Sequence, residues 1–202
     1  MQGKPFSQAS ENNKRPIGTV LSRHLRSPGR LLEIGSGTGQ HGHFFAQEFP
    51  HITWQPSDRR DNLPLIQMWV NDEPKPNYLA PREIDVNTFN PVATSHQDTY
   101  DYLYSANTAH IMSIEEVTLF FGLIPQMLTP EGLFFLYGPF NYQGQYTSES
   151  NARFDEWLKA QAPHQGIRDF EAINALAMQQ GLSLIEDNAM PANNRTIVWQ
   201  LK

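Results

Sequence analysis

The sequence predicts an α/β fold: a mostly parallel, seven-stranded sheet with an antiparallel last strand and helices on both faces. Three observations lead there. Short apolar runs alternate with segments of helical period along the chain, the pattern of repeated strand and helix units. Residues 31–41, Leu-Leu-Glu-Ile-Gly-Ser-Gly-Thr-Gly-Gln-His, join the first apolar run to a helical segment through closely spaced glycines. A backbone without Cβ can turn tightly there and lie against a ligand. The last two apolar runs are separated only by residues 187–195, too short a stretch for a crossover helix, so that pair must be antiparallel. At 202 residues, 39% of them apolar, the chain suits one domain over residues 1–202, with an N-terminal segment and helix within 1–29.

The elements follow in order. Pro16 is tolerated at a helix start, and Ile17, Val20, Leu21 and His24 recur at helical spacing, so a short helix precedes strand one at 30–34. A second helix, 40–49, stops before Pro50. Strand two is 52–56. Residues 61–71 place Leu65, Ile66 and Trp69 on one helical face, and Pro74 and Pro76 close that unit. Residues 82–86 form strand three and 100–106 strand four. Ser113 and Glu116 have capping-box spacing. The helix they start turns Ile114, Val117, Phe120, Phe121 and Ile124 inward before Pro125 kinks its last turn. Strand five, 132–137, leads into a polar and aromatic loop at 138–150, a helix at 151–161 and another capped by Asp169. Strands at 182–186 and 196–201 complete the sheet.

Composition narrows the function classes. Formal charge is −6 with no run of Lys or Arg, so the chain lacks the basic footprint that draws a domain onto nucleic acid or an anionic membrane. Neither partner is expected, and oligomeric state is left open. With no cysteine there is no disulfide, thiolate metal site or cysteine nucleophile, which fits a reducing compartment. No window approaches the ~20 apolar residues of a membrane span, and residues 1–14 lack the apolar core of a signal peptide. A cytoplasmic protein is expected. His41 and His43, two apart on a helix, point to different faces, so no metal site is expected.

Open α/β sheets bind ligands outside the carboxyl ends of their strands, so useful residues lie just after strands. Gly35, Ser36, Gly37, Thr38 and Gly39 form the candidate cradle. Their spacing is G-x-G-x-G, not the G-x-G-x-x-G of a dinucleotide fingerprint. With Glu33 two residues before the first glycine, the segment resembles the first motif of the class I, Rossmann-like S-adenosylmethionine-dependent methyltransferases. That resemblance implies their fold and cofactor. Asp58, after strand two, could accept hydrogen bonds from both ribose hydroxyls of an adenosine, or simply shape a turn. Asp85 could accept the exocyclic amine of adenine while the Val86 backbone reads a ring nitrogen; the alternative is an Asx-type loop cap. Asn107 ends strand four, where it would face the amino-acid part of the cofactor. Glu33 could bind the cofactor directly or hold the glycine loop through backbone amides. His41, at a helix N-terminus, could lie near the cofactor.

Methyl transfer from a sulfonium is an in-line displacement, so no dedicated catalytic residue is obligatory. If the acceptor must lose a proton, a histidine titrating near neutrality is the natural base, and His110 is placed for it. A structural imidazole is the other reading.

Beyond the glycine loop, further segments resemble an uncharacterised methyltransferase-like family of about this size, a domain of unknown function. They are Ala-Ser-Glu-Asn-Asn-Lys-Arg-Pro-Ile (9–17), Asn-Thr-Ala-His-Ile (107–111), Tyr-Gly-Pro-Phe (137–140), Arg-Asp-Phe-Glu (168–171) and Met-Pro-Ala-Asn-Asn (190–194). The resemblance spans nearly the whole chain and picks out Asn13, Arg168, Asn193 and Asn194. Asn13 lies on the segment before the first helix, which in this fold can cover the cofactor. Asn193 and Asn194, in the last loop, could point toward an acceptor or satisfy the turn backbone. Tyr142, Tyr146 and Phe140 could wall a small-molecule acceptor or serve as packing. Two readings compete: a non-catalytic S-adenosylmethionine-binding protein, which shares every cofactor residue, and a nicotinamide-dependent oxidoreductase, which shares the glycine loop and the acidic residue after strand two but differs in glycine spacing and in the antiparallel last pair.

Overall fold

The structure, a computed structural model, describes residues 3–90 and 99–202. Its elements are α1 (Gln8–His24), β1 (Gly29–Ile34), α2 (Gln40–Glu48), β2 (Ile52–Asp58), α3 (Leu63–Asp72), β3 (Arg82–Glu83), β4 (Tyr100–Ala106) and α4 (Ile114–Met127), then β5 (Leu128–Asn141), α5 (Glu149–Gln161), β6 (Arg168–Asp169), α6 (Phe170–Gln179), β7 (Leu182–Met190) and β8 (Asn194–Leu201). The strands form one sheet in the order β3-β2-β1-β4-β5-β8-β7, with β6 beside β5 off this path. Strands β1 to β5 pair in parallel. β8 runs antiparallel to both β5 and β7, as the short last connection requires. Strand order reverses between β1 and β4, which opens a switch point at their carboxyl ends.

Side-chain alternation in β1 divides the interior into two layers. Leu32 and Ile34 face one core with Phe120, Phe121, Phe134 and Trp199, covered by α4 and α6. Leu31 faces the other with Ile17, Phe45, Trp54 and Tyr104, covered by α1, α2 and α3. Among the described residues no helix is long and apolar enough to cross a membrane.

Four local expectations are corrected. Helix α1 begins at Gln8, not at Pro16, because Ser7 caps it by accepting the Ser10 N–H. Pro16 then sits inside the helix and removes one bond to the Asn12 carbonyl. The helix survives this because Ile17, Val20 and Leu21 are buried, and packing more than propensity holds a helix. Strand β3 ends at Glu83, since residues 85–89 turn back on Asp85: its carbonyl accepts from Thr88 and Phe89. The third helix starts at Leu63, after a 3-10 turn at Arg60–Asn62. Strand β5 runs on to Asn141, so the first part of the expected 138–150 loop is strand. Gly138 and Pro139 pair with Arg195 and Asn194, and Phe140 and Asn141 pair with Arg168 and Asp169.

Candidate functional site

The glycine loop is shaped by three left-handed residues, Gly35 (φ 74°), Gly37 (φ 56°) and Gly39 (φ 85°). Its amides are anchored to β2: the Gly35 and Ser36 N–H groups both donate to the Ser57 carbonyl at 3.0 Å. A Cβ on Gly35 would come within 2.5 Å of the Thr108 side chain, whereas one on Gly37 would project into open space. That space is a cavity of about 260 Å³ at the carboxyl edge of the sheet. Gly35 and Gly37 line it from β1, Asp58, Arg59 and Asn62 from β2, Ile84, Asp85 and Val86 from β3, and Asn107 and Thr108 from β4. Ile34, Ala106, Ile111, Met112 and Glu116 complete it.

Asp58 organises this cavity. Its Oδ2 accepts the Gly37 N–H at 2.7 Å, and its Oδ1 accepts the Arg59 N–H at 2.7 Å and the Asn62 amide at 2.9 Å. An ionised carboxylate has about four acceptor sites, so capacity is left on Oδ2, the oxygen holding the loop. Asp85 forms an Asx-type turn, its Oδ1 accepting from the Asn87 backbone at 3.0 Å and side chain at 3.1 Å. Asn107 is left-handed (φ 58°), with its N–H on the Tyr137 carbonyl at 2.8 Å.

The cavity therefore gathers Gly35, Gly37, Asp58, Asp85, Val86 and Asn107. Ser36 sits behind it, accepting the Ser57 N–H at 3.1 Å and tying the loop to β2; Thr38 and Gly39 are in the loop but do not line the cavity. Glu33 is a correction. It shares the face of Leu31, away from the cavity, where its Oε2 accepts the Trp54 indole N–H at 2.8 Å. Burial raises its carboxyl to about pKa 8, so it is protonated at neutral pH. Its carboxyl is held by an indole on β2, not by the backbone amides of the loop.

His41 and Asn13 lie on this second side too. Asn13 lies within α1, not before it, and its Oδ1 meets His41 Nε2 at 2.6 Å, while the Tyr104 hydroxyl meets His41 Nδ1 at 3.2 Å. Burial lowers His41 to about pKa 4. Neither residue lines the cavity. Gln40, which no sequence signal singled out, joins the two helices: its Oε1 accepts the Ser7 N–H at 3.0 Å and its amide donates to Glu11 at 2.9 Å.

His110 follows β4 but does not line the cavity; it stands edge-on to Phe154 at 5.4 Å. Burial, and secondarily the charge of Arg168, lower it to about pKa 4. It does not titrate near neutrality, contrary to the expectation from sequence. The proposed acceptor residues are not brought to the cavity either. Phe140 is a core residue. Tyr142 stacks on Phe170 and donates to Asp187 at 2.7 Å, and Tyr146 donates to the buried Asp155 at 2.6 Å. The Asn193 amide donates to Ser150 at 3.2 Å, and the Asn194 amide donates to the carbonyls of Pro191 and Ala192. These bonds hold a turn in which Ala192 and Asn193 are left-handed.

Sequence reasoning missed Asn62, Ile84, Ile111, Met112 and Glu116. A signal existed for two: Asn62 lies one helical turn after Asp58, and Ile84 alternates with Val86. Ile111 and Met112 were indistinguishable from core residues, and Glu116 was read only as half of a capping box, which it also completes.

A family described as a protein of unknown function, DUF938, matches residues 4–201. Among solved structures, the chain is similar to an O-methyltransferase family protein from Burkholderia thailandensis, with 13% identity and a TM-score of 0.80 over 96% of this chain and 57% of that one. It is also similar to human N-acetylserotonin methyltransferase in complex with SAM, with 13% identity and a TM-score of 0.78 over 96% and 53%. The mitomycin 7-O-methyltransferase MmcR gives 14% identity and a TM-score of 0.79 over 96% and 55%. The chain spans little more than half the length of these proteins, and at such identity the likeness establishes the fold.

Proposed function

The chain belongs to the DUF938 family, and we propose that it is an S-adenosylmethionine-dependent methyltransferase acting, as one domain, on a small-molecule acceptor. The observation that carries this reading is the convergence of Gly37, Asp58, Asp85 and Asn107 on one apolar-walled cavity at the switch point of a methyltransferase-like sheet. The residues fit that cofactor. Ile84, Val86, Ile111 and Met112 supply the walls a planar base needs, and Asp85 Oδ2 remains for its exocyclic amine. Asp58 Oδ2 has capacity for a ribose hydroxyl, and a second hydroxyl can replace the Asn62 amide on Oδ1. Gly37 leaves room for the ribose and the methionyl chain, which extends toward Asn107.

When bound, the cofactor supplies a methyl group activated on sulfonium sulfur. The chain holds that methyl in line with the acceptor in a dry site. His110, which lies beyond the cavity wall formed by Asn107 and Thr108, is the proposed base for an acceptor seated on the far side of that wall from the cofactor. Kept neutral by burial, it has a free lone pair throughout the physiological pH range. A base this weak suits proton removal concurrent with methyl transfer, when the acceptor atom has already become acidic. The small-molecule acceptors in the names of the similar structures support the acceptor class, and the cysteine-free composition supports a cytoplasmic location.

Calorimetry with S-adenosylmethionine, S-adenosylhomocysteine and NAD tests the cofactor. Binding of the first two is expected; binding of NAD alone would overturn the reading. Labelled-methyl turnover over a metabolite panel then separates an enzyme from a protein that only binds the cofactor. Full turnover in His110→Ala on an identified acceptor would remove the base.

A further inference from the structure

We propose that Arg168 is a positioning residue: from outside the cavity it fixes the 107–112 loop, which carries both a cavity wall and His110. Its importance rests on the preceding reading, although its geometry does not. Within this loop the N–H groups of Ile111 and Met112 both reach the Thr108 carbonyl at 3.0 and 3.1 Å, and the Asn107 N–H reaches Tyr137 of β5 at 2.8 Å. Three of its other carbonyls are satisfied from elsewhere. Arg168 Nε donates to the Ala109 carbonyl at 3.0 Å, and Arg168 Nη2 donates to the carbonyls of Met112 and, at 2.9 Å, His164. Between them the Gly166 N–H donates to the His110 carbonyl at 2.9 Å. Carbonyls on both sides of His110, and its own, are thus held by residues 166 and 168.

The clamp is itself rigid. Arg168 is in β6, paired with β5. The preceding Ile167 N–H donates at 2.6 Å to Asp155, which is 2% exposed and also binds Tyr146 and Lys159. A guanidinium offers several donors in one plane, which a lysine ammonium cannot reproduce. Arg168 does not line the cavity, so it would act only through the loop.

The test uses Arg168→Lys and Arg168→Gln, with S-adenosylhomocysteine affinity by calorimetry and the His110 imidazole resonances by NMR as readouts. Both variants should lose about tenfold or more in affinity, as expected when charge-assisted bonds are removed. The His110 signals should shift in both, and its titration midpoint should rise by about one pH unit in Arg168→Gln, where the nearby charge is gone. Arg23→Gln, which removes the surface bonds to Glu186 and Asn188, should lower Tm without moving either readout. Wild-type affinity and an unchanged His110 spectrum in Arg168→Lys would overturn the proposal. If the wild type binds no S-adenosylhomocysteine, the methyltransferase reading fails, and the His110 spectrum still decides whether Arg168 positions the loop. Should Arg168→Gln fail to fold, Arg168→Lys decides.

Discussion

The two sides of the glycine loop are built from the same strand and differ in almost every other respect. On the α4 side, Ile34 faces an open cavity in which apolar walls alternate with polar side chains, among them Asp58, Asp85 and Asn107. On the α2 side, Glu33, Asn13, Gln40 and His41 are packed at 8% exposure or less, each bonded to another protein group. The difference shows how polar residues are sorted between binding and scaffolding. Buried ionisable groups are tolerated when they are uncharged and hydrogen-bonded, and Glu33 and His41 both meet that condition at neutral pH. The carboxylate facing the cavity, Asp58, instead gathers donors and keeps capacity for a ligand.

The strongest way to break this contrast is at Gly37. Gly37→Val forces a branched side chain into a left-handed backbone and into the cavity, so S-adenosylhomocysteine affinity should fall more than about a hundredfold while the fold persists. Retained affinity in calorimetry would remove the loop from the binding side.

Glu33→Ala, on the packed side, should cost about 2–4 kcal/mol by leaving a cavity and an orphaned indole N–H, read from the urea midpoint. Glu33→Gln tests its protonation. Because the folded carboxyl stays protonated to about pH 8 and its ordinary value is 4.5, the folded state binds the extra proton between those limits. Wild-type stability should therefore fall from about pH 5 to 8, with a limiting slope of about 1.4 kcal/mol per pH unit. Glutamine should flatten that slope; an unchanged pH profile would mean that Glu33 is ionised.

Asp58→Ala should weaken cofactor binding by about 1.5–3 kcal/mol and also lower Tm, because the Gly37, Arg59 and Asn62 donors lose their acceptor, while the fold persists. The smallest effect is expected at Asn13→Ala: about 1 kcal/mol of stability lost with its bond to His41, and affinity unmoved. A tenfold loss of affinity there would place α1 in the binding site and erase the distinction.

The strand and helix order was legible because alternation and helical period are local signals, and the antiparallel end followed from the length of one connection. Glycine spacing and residues just after strands located the cavity. What stayed hidden depended on partners distant in sequence. Strand β6 exists only because residues 140–141 and 168–169 meet, and the extension of β5 needs both that meeting and the pairing of 138–139 with 194–195. Tyr142 and Tyr146 look like a pocket wall until Asp187 and Asp155 take their hydroxyls. The side to which Glu33 points was decidable in principle, since it must share the face of Leu31, but the open side of the sheet is set by how α4 and α2 pack.

Gln40 opens α2 while its side chain holds Ser7 and Glu11 of the N-terminal region. One amide thereby fastens the start of α1 to the residue that follows the glycine loop. Fraying of the first turn of α1 would break both bonds and free the residue that follows the glycines, so ligand protection of Lys4 from trypsin would gauge how firmly a ligand seats the loop.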